Sequence, residues 1–270
     1  MPELPEIYNI SKQMEKELVG RQIINIEVLQ EKCLNVYKEE FVSQVSNKTI
    51  RSVSSLGKWI FIGLDSGIKL ALSLGMGGNI IYHKDAVSLP EKYQFKIMFA
   101  DVSFLTIRFW WFGYFHFLKD DDKKSHKQTA NLGVSPLDRQ QFTYEYFYKM
   151  LDGKRGSVKS FLLNQKNVAG IGNVYIQDIL FRAKLHPARK INTMNDSEKE
   201  WLYNAIYMEL NEAVNLGGIG YEKDLYNKPG EKYDFLVGYR EGKPCPVCGT
   251  KISKIKVSNT TCYVCSSCQK

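Results

Sequence analysis

Four cysteines in the last 26 residues constrain this chain more than any other feature. Cys245-Pro-Val-Cys248 and Cys265-Ser-Ser-Cys268 are two C-x-x-C pairs with sixteen residues between them. That spacing suits four thiolates around one tetrahedral Zn²⁺, in a segment too small for a core of its own. The two-residue spacer lets backbone N–H groups point at sulfur, and Gly249 supplies the freedom the tight turn needs. Two disulfides or four buried thiols are the alternative reading. From Gly242 to Lys270 there are five lysines (243, 251, 254, 256 and 270) and no acidic residue. A zinc hairpin with that charge is suited to lie against a polyanion, and nucleic acid is the expected partner.

Composition agrees. The chain has 270 residues, 44% of them hydrophobic, enough for two or three domains with cores of their own and too many for general disorder. Its formal charge of +8 is uneven: residues 1–135 carry 17 basic and 15 acidic side chains, residues 136–270 carry 20 and 14. The anion-binding surface is therefore weighted to the second half. No apolar run reaches membrane-spanning length and no signal-peptide layout is present, so a reducing, cytoplasmic setting is expected. Cys33 and Cys262 fall outside the zinc set and read as structural thiols.

Periodicity divides the chain. Pro5 suits a first helical turn, and Ile7, Ile10, Met14 and Leu18 follow at three- and four-residue steps before Gly20. From Gln22 to about Leu118 the pattern is β: 23–28, 58–64, 68–74, 93–99 and 102–109 are short runs rich in β-branched and aromatic residues, which predicts an antiparallel sandwich or barrel. The charge run Lys119-Asp-Asp-Asp-Lys-Lys-Ser-His-Lys127 reads as a solvated loop. From about Pro136 the period is helical, with apolar faces at Val158, Phe161 and Leu162 and at Ile176, Ile179, Leu180 and Ala183. A capping box at Ser197-Glu-Lys-Glu200 opens a further helix that runs to Gly217-Gly218. The expected partition is a helix-plus-β domain over 1–118, a linker over 119–135, a helical domain over 136–228 and a zinc finger over 229–270.

Several short motifs carry chemistry. Met1-Pro2-Glu3-Leu4-Pro5-Glu6 would, on loss of Met1, leave Pro2 with a free secondary amine able to attack an aldehyde-like carbon and form an iminium, with Glu3 beside it to move protons. The same residues also suit a plain helix start, and both readings stand at this point. Gly170-Ile-Gly172-Asn173 before a helix suits a phosphate, through unpaired N–H donors and close backbone approach; an ordinary helix–turn–helix joint is the alternative. Met76, in Gly75-Met-Gly-Gly78, is either an exposed apolar wedge or a core filler. Lys58 reads by default as a solvated lysine at a strand start.

Together these pieces resemble one family along nearly the whole chain, the formamidopyrimidine-DNA glycosylases and their endonuclease VIII relatives. The matching elements are Pro2-Glu-Leu-Pro-Glu6, Gly57-Lys58, Leu74-Gly-Met-Gly-Gly78, Phe112-Gly113, Leu132-Gly-Val-Ser-Pro-Leu137, Gly170-Ile-Gly-Asn-Val-Tyr175, Tyr239-Arg240, Cys245-Pro-Val-Cys-Gly249 and Cys265-Ser-Ser-Cys-Gln-Lys270. The long 217–235 loop, with Lys228-Pro-Gly, looks more like the formamidopyrimidine branch.

The resemblance implies an α+β protein: an N-terminal helix with a two-layer antiparallel β-sandwich, a helix–two-turn–helix module and a C-terminal zinc-finger hairpin, with double-stranded DNA in the cleft between. It implies a monomeric base-excision-repair enzyme in the cytoplasm. Pro2 displaces a damaged base at C1′, and the iminium permits β- and δ-elimination of both phosphates. Glu3 matches the family's acid/base residue and Glu6 a supporting carboxylate. Lys58 and Asn173 match phosphate-holding residues, with Gly172, Tyr239 and Arg240 in the same DNA-contacting motifs. Met76 and Phe112 match side chains that fill the gap left by a flipped nucleotide. Two positions depart from the pattern. Trp111 stands where the family has a gap-filling arginine that reads the orphaned base, and Thr260 stands where the zinc hairpin has an arginine at the lesion. Those departures point to a lesion or opposite-base preference other than 8-oxoguanine paired with cytosine. A weakly catalytic or non-catalytic protein of the same fold that binds damaged or abasic DNA is the runner-up. A zinc-ribbon RNA-binding protein would explain the cysteines but not Pro2-Glu3.

Overall fold

The apolar steps of Ile7, Ile10, Met14 and Leu18 become the buried stripe of helix α1 (Leu4–Leu18). The computed structural model describes residues 1–85, 89–118 and 126–270; residues 119–125 of the expected charged loop lie outside the described residues. Two compact units are present, one formed by Met1–Asn131 with Leu216–Glu231 and the other by Leu132–Asn215 with Lys232–Lys270. Among the described residues no helix is long and apolar enough to cross a membrane.

In the first unit α1 is followed by β1 (Ile23–Val28), α2 (Lys38–Val45), β2 (Ile50–Leu56), β3 (Trp59–Leu64), β4 (Lys69–Ser73), β5 (Asn79–His83), β6 (Phe95–Phe99), β7 (Phe104–Arg108) and β8 (Tyr114–Leu118). The strands form two four-stranded sheets, ordered β1-β6-β7-β5 and β2-β3-β4-β8, and every pairing is antiparallel. One core joins them: Ile26, Phe95, Ile97 and Ile107 from the first sheet pack with Ile60, Ile62, Leu72 and Phe115 from the second, and α1 adds Ile7, Ile10 and Met14. This is a two-layer sandwich, one of the two architectures that the β runs predict and the one the resemblance implies. Sequence periodicity did not mark β2, β5 or β8. In β2, Ile50-Arg-Ser-Val-Ser-Ser-Leu56 carries too many serines for a clean alternation, yet Ile50 and Val53 are buried.

The second unit holds α3 (Tyr144–Leu151), α4 (Val158–Leu163), α5 (Ile176–Arg182), α6 (Asp196–Asn215) and the hairpin β9 (Ser253–Val257) with β10 (Thr260–Val264). The apolar faces expected at Val158, Phe161 and Leu162 and at Ile176, Ile179, Leu180 and Ala183 are buried. The capping box of α6 lies two residues earlier than expected. Asn195 Oδ1 accepts from the Glu198 N–H at 2.9 Å and Glu198 Oε2 accepts from the Asn195 N–H at 2.8 Å, because asparagine caps as well as serine and Glu198 is placed to answer it. Buried charges close the unit: Arg182 and Lys232 converge on Glu209, which is fully buried, and on Glu212.

The segment 216–231, which the expected partition divides between the helical domain and the zinc finger at 228/229, packs with the first unit. Glu6 Oε1 accepts from the Ile219 N–H at 3.0 Å, Gln13 binds Asp224 and the Leu225 N–H, and Tyr226 donates to Glu17 at 2.8 Å. Gly218 has φ +96°, and a Cβ there would stand 2.7 Å from Glu6 Oε1 and 2.8 Å from its Cγ. Any side chain at 218 must therefore displace the Glu6 carboxylate while adopting a backbone conformation only glycine takes readily. Gly218→Ala is expected to cost about 2 kcal/mol of stability, from backbone strain and a lost buried hydrogen bond. Urea unfolding measures this; a loss below about 0.5 kcal/mol, the size of an ordinary surface change, would show that the Glu6 contact does not hold the loop.

Candidate functional site

The chain start is pinned. Pro2, Glu3 and Glu6 are all buried, whereas chain ends usually fray. Pro5 in the first turn of α1 fixes the helix start, and Glu6 Oε2 accepts from the Glu3 N–H at 2.8 Å. One carboxylate thus holds Glu3 with one oxygen and Ile219 with the other. The structure brings Pro2, Glu3 and Glu6 together with the turn at 218–222. In that turn stands Glu222, which sequence reading did not single out, with Oε1 2.9 Å from the Met1 ammonium.

Lys58 lies at the tip of the β2–β3 hairpin, half-buried, beside Gly57 at φ +60° and just before the Leu56–Trp59 pair. Ser11 on α1 donates to Ser55 Oγ at 3.0 Å, which ties this hairpin to the helix that carries the chain start. Trp59 anchors it further, stacking on Tyr114 and meeting the His126 ring edge-on. His116 Nδ1 and His126 Nε2 lie 2.7 Å apart. Burial, then His126, lowers the pKa of His116 to about 4, and burial lowers that of His126, so the pair is neutral at pH 7 and one ring donates to the other. No spacing in the sequence marks that pair.

The apolar wedge is exposed. Met76 is 44% accessible, Trp110 67%, Trp111 61% and Phe112 69%. A core position for Met76 and a sandwich position for Trp111 are both excluded. Met76 and Trp111 exchange two backbone hydrogen bonds, 2.8 and 3.2 Å, and Phe112 has φ +57°. Gly75 lies so close to this strap that a Cβ would meet Trp111 O at 2.1 Å. Arg108, at the end of β7, places its guanidinium 5.3 Å from the Trp110 ring.

The second unit carries the other expected contacts. Gly172 is buried and its carbonyl accepts from the Ile176 N–H at 3.3 Å. Asn173 is half-buried before α5; the helix begins at Ile176, so Asn173 does not cap it. Gln177 donates to Asn173 Oδ1 at 3.2 Å, and to the Asn173 and Thr261 carbonyls, while its Oε1 accepts from the Tyr263 N–H. With its oxygen engaged, Asn173 offers its NH₂ group as donor. Thr260 opens β10 at the hairpin tip and donates to Val257 O at 3.1 Å. Asp178 is fully buried and accepts from the N–H groups of Leu236, Val237 and Gly238 at 2.6, 3.0 and 2.9 Å. That grip presents Tyr239, half-exposed at φ +57°. Arg240 donates to the carbonyls of Phe235 and Pro244, which braces the entry to the cysteines. Lys159, fully buried, donates to Thr261 O at 2.9 Å and reaches Cys262 Sγ at 2.8 Å. Gln177, Asp178 and Lys159 are organisers that sequence reading missed, since each sits unannounced inside an apolar helical pattern.

The Sγ atoms of Cys245, Cys248, Cys265 and Cys268 all lie within 4.8 Å of one another. Cys245–Cys268 and Cys248–Cys265 separations are 3.8 and 3.4 Å, too long for disulfides and close to the roughly 3.8 Å edge of a tetrahedron with metal–sulfur bonds of about 2.3 Å. Thr250 lowers the pKa of the Cys248 thiol to about 6 by hydrogen bonding, and burial, then its thiol neighbours, pushes Cys268 up to about 12. A metal bound there would displace the thiol protons. Cys33 and Cys262 are buried outside the cluster.

Comparison with known proteins follows the same lines. Residues 1–110 match the formamidopyrimidine-DNA glycosylase N-terminal domain and residues 132–224 the formamidopyrimidine-DNA glycosylase H2TH domain. The formamidopyrimidine-DNA glycosylase of Pelotomaculum thermopropionicum is 34% identical over all of this chain and 99% of its own length; that of Cytobacillus firmus is 32% identical over the full length of both. The solved structure of Lactococcus lactis Fpg in complex with DNA containing an abasic site superimposes with a TM-score of 0.91 at 28% identity, covering 99% of each chain. The Lactococcus lactis protein with DNA containing N7-benzyl-Fapy-dG gives the same score over the full length of both. Sandwich, helical module, cysteine cluster and end-to-end similarity together place this chain in the formamidopyrimidine-DNA glycosylase family.

Proposed function

We propose that this protein is a base-excision-repair DNA glycosylase with AP-lyase activity, acting as a monomer on nucleoid DNA in the cytoplasm. With Met1 removed, the Pro2 amine attacks C1′ of the damaged nucleotide and the bond from C1′ to the base breaks. The resulting iminium is an electron sink, so loss of a C2′ proton expels the 3′ phosphate and a second elimination expels the 5′ phosphate. Glu3 moves the protons. The observation that carries this reading is the ordering of the chain start: Pro2 and Glu3 are buried and the Glu3 N–H is fixed on Glu6. Lys58 and Asn173 would hold phosphates, with Gly172, Tyr239, Arg240 and Thr260 around them, while Met76, Trp111 and Phe112 would fill the stack where the nucleotide leaves it.

One Zn²⁺ held by Cys245, Cys248, Cys265 and Cys268 would brace the β9–β10 hairpin. Among the described residues the apolar support there is slight, with Phe181, Val237 and Ile252 beside Cys245 and Cys265. The metal supplies fold, not chemistry, to the reaction.

The lesion preference is proposed to differ from 8-oxoguanine paired with cytosine. An exposed indole offers a large π-face, whose stacking, about 1–3 kcal/mol per base, is nearly blind to base identity. A guanidinium would offer fixed donors to cytosine.

Three measurements test these proposals. Retaining Met1, or Pro2→Gly, is expected to abolish or strongly reduce borohydride trapping on an abasic duplex, and Glu3→Gln to impair base release while DNA binding persists. Normal nicking by the Met1-blocked protein would overturn the nucleophile assignment and favour a binding protein of the same fold. Metal analysis is expected to find one zinc per chain, and chelation to lower DNA affinity while the sandwich keeps its circular dichroism; freshly purified protein without zinc would exclude the metal. Single-turnover rates on one lesion opposite each of the four bases are expected to differ little. A hundredfold cytosine preference, about 2.7 kcal/mol, would assign the readout to another residue, with Arg108 the first to substitute.

A further inference from the structure

The nearest charged partner of the chain start is a carboxylate that no family motif accounts for. Glu222 is 10% exposed, and its Oε1 lies 2.9 Å from the terminal ammonium. Its position is set by backbone. The Glu222 N–H donates to Ile219 O at 3.1 Å and its carbonyl accepts from Gly230 at 3.2 Å. Ile219 is in turn held by Glu6, which also fixes Glu3. The carboxylate and the chain start are therefore registered against each other by hydrogen bonds independent of the ion pair. Removing Met1 shifts the terminal nitrogen along the chain by no more than about 4 Å, so the Pro2 amine stays within about 7 Å of Glu222 Oε1, a gap that bridging water or a side-chain rotation spans. Among the described residues, the charged groups that bear on Glu222 are the terminal ammonium and Glu3. Burial raises its pKa, the ammonium lowers it and Glu3 raises it again.

We infer that Glu222 is the proton acceptor for the Pro2 amine, which makes the two a nucleophile–base pair and leaves Glu3 to serve the sugar and the departing base. This rests on the reading of Pro2 as nucleophile. The secondary ammonium gives one proton to Glu222, and the lone pair so freed forms the N–C1′ bond as the bond to the base breaks. The base departs with a proton from solvent, relayed by Glu3. The remaining N–H proton ends on O4′ when the sugar ring opens, which completes the iminium. A base held beside the chain start by backbone bonds, within bridging reach of the nucleophile, is the arrangement such activation requires.

The pH profile of borohydride trapping on an abasic duplex tests the pair. The reactive form carries one proton between amine and carboxylate, so trapping by the wild-type, Met1-free protein persists well below the ordinary α-amino range of about 7.7–8.0. Glu222→Gln removes the acceptor. Its acid limb is expected to move up into that range, with a rate at pH 6.5 lower by about tenfold or more and recovery near pH 9. An unshifted profile and unchanged rate in a variant that still binds abasic DNA would overturn the inference. If Glu222→Gln fails to fold, the wild-type profile decides: an acid limb within or above the ordinary α-amino range overturns it equally. Met1-retaining protein is measured alongside. If it traps normally, the Pro2 reading has failed; if it does not trap and the Glu222→Gln profile is unshifted, only the role of Glu222 has failed.

Discussion

One carboxylate organises the first unit. Glu6 accepts from the Glu3 N–H with one oxygen and from the Ile219 N–H with the other, across 213 residues of chain. Both donors would otherwise be orphans, one at a helix start and one in a loop, and a buried N–H without a partner costs about as much as a lost hydrogen bond. Satisfying both with one charged acceptor gives two charge-assisted bonds and fixes where the loop meets the helix. Everything at the chain start follows from that junction. Gly218 must lack a side chain because the carboxylate occupies the space, and Glu222 faces the terminal amine because the turn holding it starts at Ile219.

The second unit uses the same device three times. Asp178 gathers three N–H groups of residues 236–238, Gln177 ties the turn at Asn173 to β10, and Lys159 reaches the β10 backbone from α4. Burying such groups is costly unless each is matched, and here the partners lie in the 236–238 loop, the turn at Asn173 and strand β10 of the two-stranded hairpin. These side chains therefore act as local templates. They order the loop before Tyr239, and they tie β10, paired only with β9, to α4 and α5. On the proposed reading, a metal at the cysteine cluster then needs to fix only the end of the hairpin away from its tip.

This explains what the sequence made legible. Local periodicity exposed α1, most of the sandwich strands and the buried faces of α4 and α5, because burial of those residues repeats with the element. The cysteine pairs were legible because metal geometry dictates spacing. Glu6 received a role only through resemblance to a family, whereas Asn173 was already marked by the glycine-rich turn before a helix. Glu222, Gln177, Asp178 and Lys159 were not found at all. Their partners are backbone groups or a chain end brought close by tertiary structure, and such pairing leaves no period. The strand β2 and the α6 cap show the milder failure. Serines blurred an alternation, and of two overlapping capping signals, Asn195 with Glu198 and Ser197 with Glu200, the structure uses the first.

Proline at position 2 completes the logic of the chain start. A primary amine that attacks C1′ gives an imine that is cationic only while it holds a proton. A secondary amine has no second N–H to lose, so its iminium carries a positive charge at every pH. With Pro2 as the proposed nucleophile, the electron sink for elimination would be guaranteed by covalent structure, and the protein would have only to free the lone pair beforehand. Carboxylates suit both stages on the proposed reading: one accepts the proton that masks the lone pair, and negative charge nearby stabilises the cation that follows. The pyrrolidine ring also fixes φ, so less freedom is lost when the nucleophile is held in place. A flexible terminus would have to lose that freedom at each encounter with DNA; here Pro2 is buried before the substrate arrives.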